Sequence, residues 1–354
     1  MPTPSPGSPP RYAEGQGIKL IFELTNLCNF SCTHCIRDED GQPSFLPTSV
    51  VAKVLAETQA YRSVTLVAFT GGEPTLHPEL EEILRSVTEY GHRFSLVTNG
   101  WQFVSHTFAR LQPYLASCAQ VTFSLDGATE ETHDKLRRRT GSYRRVMQGV
   151  ALCRHHGIPV HLNMVVTRAN RSELEAMAVL ASRLGCDALF YGHCQPTPDA
   201  VAADLVLNAA ERLEVEKEIA ELQRLLQLRI LLAGDHYEES RFYQCSQLQM
   251  REFNIDYRGY LTACCTLSNY RGGTPDTDVI ADLAEVSFFE AHQRLLSRIA
   301  EINREKIERL ASSSVEEKDH FICTHCLEHY GKYSRLSKVL SLPVLEATAR
   351  RAAP

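Results

Sequence analysis

The chain has 354 residues, with 37 basic against 43 acidic side chains, a formal net charge of -6 and 44% hydrophobic residues. That is enough apolar material for one large domain and a smaller appendage. It lacks the basic excess of a nucleic-acid footprint, and no apolar run is long enough to span a bilayer, so neither nucleic acid nor a membrane is expected as a partner. The opening MPTPSPGSPP has neither the charged nor the apolar region of a secretory signal, and its prolines suggest a disordered tail over residues 1–17. A cytoplasmic protein is expected, in which 12 cysteines point to metal rather than to disulfides.

Strands are expected at 18–24, 64–70, 93–98, 119–125, 158–166 and 187–193, with amphipathic helices near 47–60, 77–90, 101–116, 142–156 and 171–184. Short apolar runs that alternate with helical periodicity indicate βαβ units and a parallel sheet. Six repeats suggest an α/β fold in the form of an open or partial barrel. Right-handed crossovers would place the C-terminal end of every strand on one rim, where chemistry is expected. The pattern then changes. Residues 207–229 read as one long charged helix within a helical linker over 207–244. Residues 245–330 form a cysteine-rich segment with turn signals at Arg258-Gly259 and Gly272-Gly273, and 331–354 form a C-terminal tail.

Cys28, Cys32 and Cys35 form C-x3-C-x2-C in the loop after the first strand. Three thiolates can hold three irons of a cubane and leave the fourth iron open, as a catalytic cluster requires; a zinc site short of one ligand is the alternative. At the end of the second strand stands Thr70-Gly71-Gly72-Glu73-Pro74, whose glycines permit close backbone approach to a ligand. By itself that segment is a plain strand-to-helix turn.

Together the two motifs resemble the radical S-adenosylmethionine (SAM) superfamily, over roughly residues 18–194, within a barrel domain expected at 18–206. The resemblance implies a partial (β/α)6 barrel in which Cys28, Cys32 and Cys35 hold a SAM-binding 4Fe-4S cluster. It also implies a one-electron cleavage of SAM and hydrogen abstraction by the resulting 5'-deoxyadenosyl radical, with a flavodoxin- or ferredoxin-type reductant as partner. His34 stands where the family places an aromatic residue against adenine. Gly71, Gly72 and Glu73 match the turn that receives the methionine amino group. Ser124 and Asp126 match positions near the ribose and methionine carboxylate, and Arg137 an arginine near that carboxylate. Asn99 and Asn163 are further candidates. For Asp126 and Asn99, turn capping is the competing role.

A second set, Cys245, Cys264, Cys323 and Cys326, could fully ligate one more centre. A four-cysteine zinc site is the plain reading of the C-x2-C pair. The run from Cys245 through Gly259 to Cys264 after such a barrel resembles the SPASM/twitch domains, which implies a second, auxiliary 4Fe-4S cluster in residues 245–330. Cys265 neighbours Cys264 and could replace it as ligand, stand inert, or donate a hydrogen atom. Cys194, after the sixth strand, is a rival donor expected at the rim. Cys118, Cys153 and Cys186 are expected in the core.

Three functions fit. The first is oxidation or epimerisation of a sugar, cyclitol or other small natural-product intermediate. The second is maturation of a ribosomal peptide by crosslinking or epimerisation; only about 17 residues precede the first strand, where many such maturases carry a leader-binding domain, which weighs against it. The third is a non-enzymatic iron–sulfur electron carrier.

Overall fold

The computed structural model describes residues 17–38, 41–59, 63–240, 243–314 and 320–333. Nearly all of the expected N-terminal tail and most of the C-terminal one lie outside the described residues.

Seven parallel strands run in chain order: β1 (Ile18–Glu23), β2 (Val64–Thr70), β3 (Phe94–Thr98), β4 (Cys118–Ser124), β5 (Val160–Val166), β6 (Ala188–His193) and β7 (Arg229–Ala233). Helices α1 (Thr48–Gln59), α2 (Leu80–Glu89), α3 (Phe108–Leu111), α4 (Glu130–Arg137), α5 (Ser142–His155), α6 (Leu174–Arg183), α7 (Pro198–Ala202) and α8 (Ala209–Leu225) lie between them. β8 (Glu252–Ile255) pairs parallel with β1 on its free side, and β9 (Tyr260–Thr262) and β10 (Val279–Asp282) extend the sheet antiparallel. The ten strands run in the order β10-β9-β8-β1-β2-β3-β4-β5-β6-β7. The edges β7 and β10 do not meet, so the fold is the mixed α/β, partial barrel expected. Two helices follow, α9 (Phe288–Ala311) and α10 (Ile322–His329).

Alternation along the strands decides what faces the barrel interior. In β5, Val160, Leu162, Met164 and Val166 are buried towards the helical layer, and Asn163 and Val165 take the opposite face. The core gathers the apolar faces of β1 to β6 with α1, α2 and α5.

Four features depart from the expected elements. The stretch 101–116 is a π turn (Phe103–Thr107), the short α3 and a 3-10 turn (Gln112–Ser117) rather than one helix, with Pro113 breaking the regular bonding. α4 was not foreseen. The expected helical linker over 207–244 instead contains β7, which pairs with β6 from Ala188↔Arg229 to Gly192↔Ala233; no glycine or proline separates the run Arg229–Ala233 from the preceding helix, so nothing in the sequence marks the change of period. The cysteine-rich segment is not a detached unit either, because β8 joins the barrel sheet. α9 spans 24 residues, and Lys53 of α1 donates to the Leu283 and Val286 carbonyls just before it, at 2.6 and 2.7 Å.

Candidate active site

The β2 turn and the first cysteine loop are built against each other. Gly72 N–H donates to Thr25 O (2.7 Å) and Glu73 N–H to Leu27 O (2.8 Å). A Cβ on Gly72 would lie 2.2 Å from the Leu27 carbonyl oxygen, and one on Gly71, at φ +127°, would lie 2.6 Å from that of Thr25. The glycines are therefore needed first for contact between the two motifs, ahead of any ligand. Glu73 is buried. Its Oε1 accepts from Thr75 N–H, Thr75 Oγ1 and Thr98 Oγ1, and its Oε2 from Asn99 N–H at 2.8 Å. Burial still pushes its carboxyl above the usual range, against those bonds.

Cys28, Cys32 and Cys35 line one cavity of about 710 Å³ at the C-terminal ends of the parallel strands. Burial pushes Cys28 up to about 12 and Cys32 to about 11. Thiols in such surroundings ionise only with positive charge beside them, which a metal centre supplies. N–H donors already face them: Arg137 Nη1 lies 3.8 Å from Cys32 Sγ and Asn99 Nδ2 lies 4.0 Å from Cys28 Sγ. Among the described residues, no three His, Cys, Asp or Glu side chains converge closely enough to hold a single metal ion. Three thiolates on one cavity wall could hold three irons of a cluster and leave the fourth open.

Asp126 is fully buried and does not line the cavity. Burial would raise its carboxyl, but Arg137 (Nε–Oδ2 2.5 Å) and His34 (Nε2–Oδ2 3.1 Å) outweigh that and hold it well below the usual range. Its Oδ1 accepts from Val165 N–H at 2.9 Å. Expected near the cofactor, Asp126 instead stands behind the wall and aims His34 and Arg137, which do line the cavity, as do Ser124, Asn99 and Asn163.

Cys245, Cys264, Cys265, Cys323 and Cys326 line the same cavity. The C-x2-C pair sits on α10, whose first turn is held to the end of β7: Thr324 N–H and Oγ1 donate to Asp235 at 3.0 and 2.8 Å, and Asp235 pairs with Arg212 at 2.6 Å. The Cys264 thiol interacts with Cys265, which raises Cys264 and lowers Cys265, and both lie near Cys245 and Cys323. Either could complete the set.

Cys194 corrects an expectation. β6 ends at His193, so the alternation that turns Phe190 and Gly192 to the cavity stops before it. Its sulfur is buried in a small apolar cluster with Leu136, Ala200 and Leu205, and burial pushes it to about 12. Cys118, Cys153 and Cys186 lie in the core as expected. Sequence reasoning missed Glu23, Arg37, Arg212 and Asp235. An acid ending the apolar run of β1 was the one available signal; the others depend on contacts distant along the chain.

Residues 22–181 match the model of the radical SAM superfamily. The AdoMet-dependent heme synthase of Methanosarcina barkeri is 29% identical over 68% of this chain and 68% of its own length. The subtilosin biosynthesis protein AlbA of Bacillus subtilis is 33% identical over 49% of this chain and 39% of its own, and the mycofactocin maturase MftC of Mycobacterium tuberculosis 33% over 48% and 42%. The chain spans about half the length, or less, of most such relatives. In fold it is similar to Streptococcus suis SuiB bound to S-adenosylmethionine (TM-score 0.63, 15% identity, 78% of this chain and 65% of that one) and to anSMEcpe with bound AdoMet (0.64, 14%, 81% and 80%).

Proposed function

We propose that this chain, whose residues 22–181 match the radical SAM superfamily, is an enzyme of that kind that removes a hydrogen atom from a substrate held between two iron–sulfur centres and oxidises the resulting radical. The observation that carries this is the single cavity onto which both cysteine groups open. Cys28, Cys32 and Cys35 would hold the SAM-binding 4Fe-4S cluster, and Cys245, Cys264, Cys323 and Cys326 the auxiliary one. When bound, the first cluster with SAM supplies the 5'-deoxyadenosyl radical, at the cost of one electron from a flavodoxin- or ferredoxin-type donor.

The chain's own residues do the positioning. Glu73 spends its carboxylate on Thr75, Thr98 and the Asn99 N–H, so it fixes the turn beside Cys28. Asp126 aims His34 and Arg137 towards adenine and carboxylate, and Ser124 and Asn163, paired across β4 and β5, offer hydroxyl and amide to the ribose. On the substrate side the buried Gln195 Oε1 and His193 Nδ1 have no protein partner. Gln195 Nε2 is committed to His193 O and Asp235, and His193 Nε2 to Glu216 at 2.9 Å. A buried acceptor left without a donor is costly, so the substrate should bring hydroxyl or amide N–H groups. A sugar or cyclitol meets that need.

A second reading, peptide maturation, is supported by the relatives: AlbA is named for bacteriocin biosynthesis and MftC as a maturase, and the SuiB fold neighbour was seen bound to its precursor peptide SuiA. A backbone amide could satisfy the same acceptors.

Anaerobically reconstituted protein, given a strong reductant, should convert SAM to 5'-deoxyadenosine and methionine, and Cys28→Ala, Cys32→Ala or Cys35→Ala should abolish this. Fully iron-loaded protein that yields neither product, with either substrate class present, would refute the reading.

A further inference from the structure

Between the two cysteine groups lies an ion pair that neither motif contains. Glu23 ends β1 with its side chain 1% exposed, and Arg37, two residues past Cys35, reaches it at 2.9 Å with its own side chain 12% exposed. Asn254 of β8 donates to Glu23 Oε1 (2.8 Å) and Ser268 Oγ to Oε2 (3.0 Å). Arg37 Nη1 also donates to the Ser268 carbonyl. The backbones follow the same connection: Arg37 bridges Tyr270 antiparallel, Arg271 N–H donates to Ile36 O (2.7 Å), and Asp38 N–H donates to Asn269 O (2.9 Å). The loop leaving Cys35 is thus bonded along its length to the loop leaving Cys265.

A buried arginine is costly unless its charge is used. Glu23 uses part of it. The rest faces sulfur, since Cys265, Cys35 and Cys264 all lie within electrostatic reach of the guanidinium, and all four residues line the cavity. Reduction adds negative charge to a thiolate-held cluster, and a fixed cation beside it favours that state.

We propose that Arg37, held by Glu23, is a positioning residue shared by the two cysteine groups, which raises the reduction potential of the centre on the Cys264–Cys265 loop and so equips it to accept the substrate's electron. This rests on the reading that the second group holds a cluster.

The test uses the full chain with Cys28, Cys32 and Cys35 all changed to Ala, so that the auxiliary cluster alone is titrated by EPR-monitored reduction. Arg37→Gln should move its midpoint negative with iron and sulfide content unchanged, and Arg37→Lys should restore most of the shift. Glu23→Gln removes the opposing charge with little change of shape and should move the midpoint positive. Opposite shifts from the two halves of one pair are a charge effect that loosened packing does not produce. Unmoved potentials, or shifts of the same sign in both, overturn the proposal. A background variant without iron and sulfide also overturns it, by the separate route of refuting the second cluster.

Discussion

At the scale of single residues, one buried polar group beside the site is held in a way that makes it sensitive to pH. His133 of α4 is fully buried, and its Nδ1 accepts the Asp126 backbone N–H at 3.0 Å, so that nitrogen must carry no proton. Burial, with help from Arg137, lowers its pKa to about 4. An unfolded histidine titrates near 6.5. Above about pH 6.5 both states are neutral and the native contact costs nothing. Between about 6.5 and 4 the unfolded chain takes up a proton that the folded one refuses, so stability falls on acidification, by up to about 3 kcal/mol. His133→Asn keeps an acceptor for the Asp126 N–H and removes the titration. Its denaturation midpoint, measured anaerobically at several pH values, should fall less steeply below pH 6.5 than that of the wild type; parallel curves would exclude His133 as the source. The importance of His133 was not legible in the sequence, because its partner lies across a turn whose shape only the fold defines. Cys28, Cys32 and Cys35, and the Cys323–Cys326 pair, were legible through their short spacing, whereas Cys245 and Cys264 were legible only through a family resemblance. Cys194 was not, because one residue of strand length decides which way it points.

At the scale of elements, two loops from successive βα units act as one structure. The sequence shows Gly71 and Gly72 as a turn, and close approach to a ligand is the natural purpose to assign. The carbonyls of Thr25 and Leu27 occupy that space instead. Gly72→Ala should therefore force the β2 turn away from the Cys28 loop, at a cost typical of overpacking against backbone, about 1–3 kcal/mol. The first cluster should be lost and the second kept, so reconstituted iron should fall from about eight per chain to about four. Full iron content with normal SAM cleavage in Gly72→Ala would show that the loops tolerate separation. The same scale explains why β7 and β8 were missed. β7 is a short apolar run and β8 a four-residue segment that holds Glu252 and Asn254, and the strand identity of both comes from pairing with β6 and β1, of which periodicity within the segment carries no record.

At the scale of the whole molecule, β8 joins the second cysteine group to the first strand of the barrel, so both groups line one cavity. On the proposed function, the fate of the substrate radical depends on what lies opposite the site of hydrogen abstraction. It can give an electron to the auxiliary centre and a proton to the protein, leaving a product two hydrogens poorer. Alternatively it can take a hydrogen atom from a thiol on the far face, giving an inverted centre. Cys194 is excluded from the second role by its burial in a separate apolar cluster, which leaves Cys265, on the cavity wall beside Cys264. The expected outcome is oxidation, because a fully ligated cluster held by the second cysteine group would most simply serve as an acceptor, and the proposed role of Arg37 would favour its reduction. In deuterated solvent the product should then carry no new deuterium at the abstracted carbon, and Cys265→Ala should still form it. Deuterium at that carbon, with Cys265→Ala cleaving SAM but releasing no inverted product, would reverse the assignment, because a thiol exchanges with solvent and hands that hydrogen on.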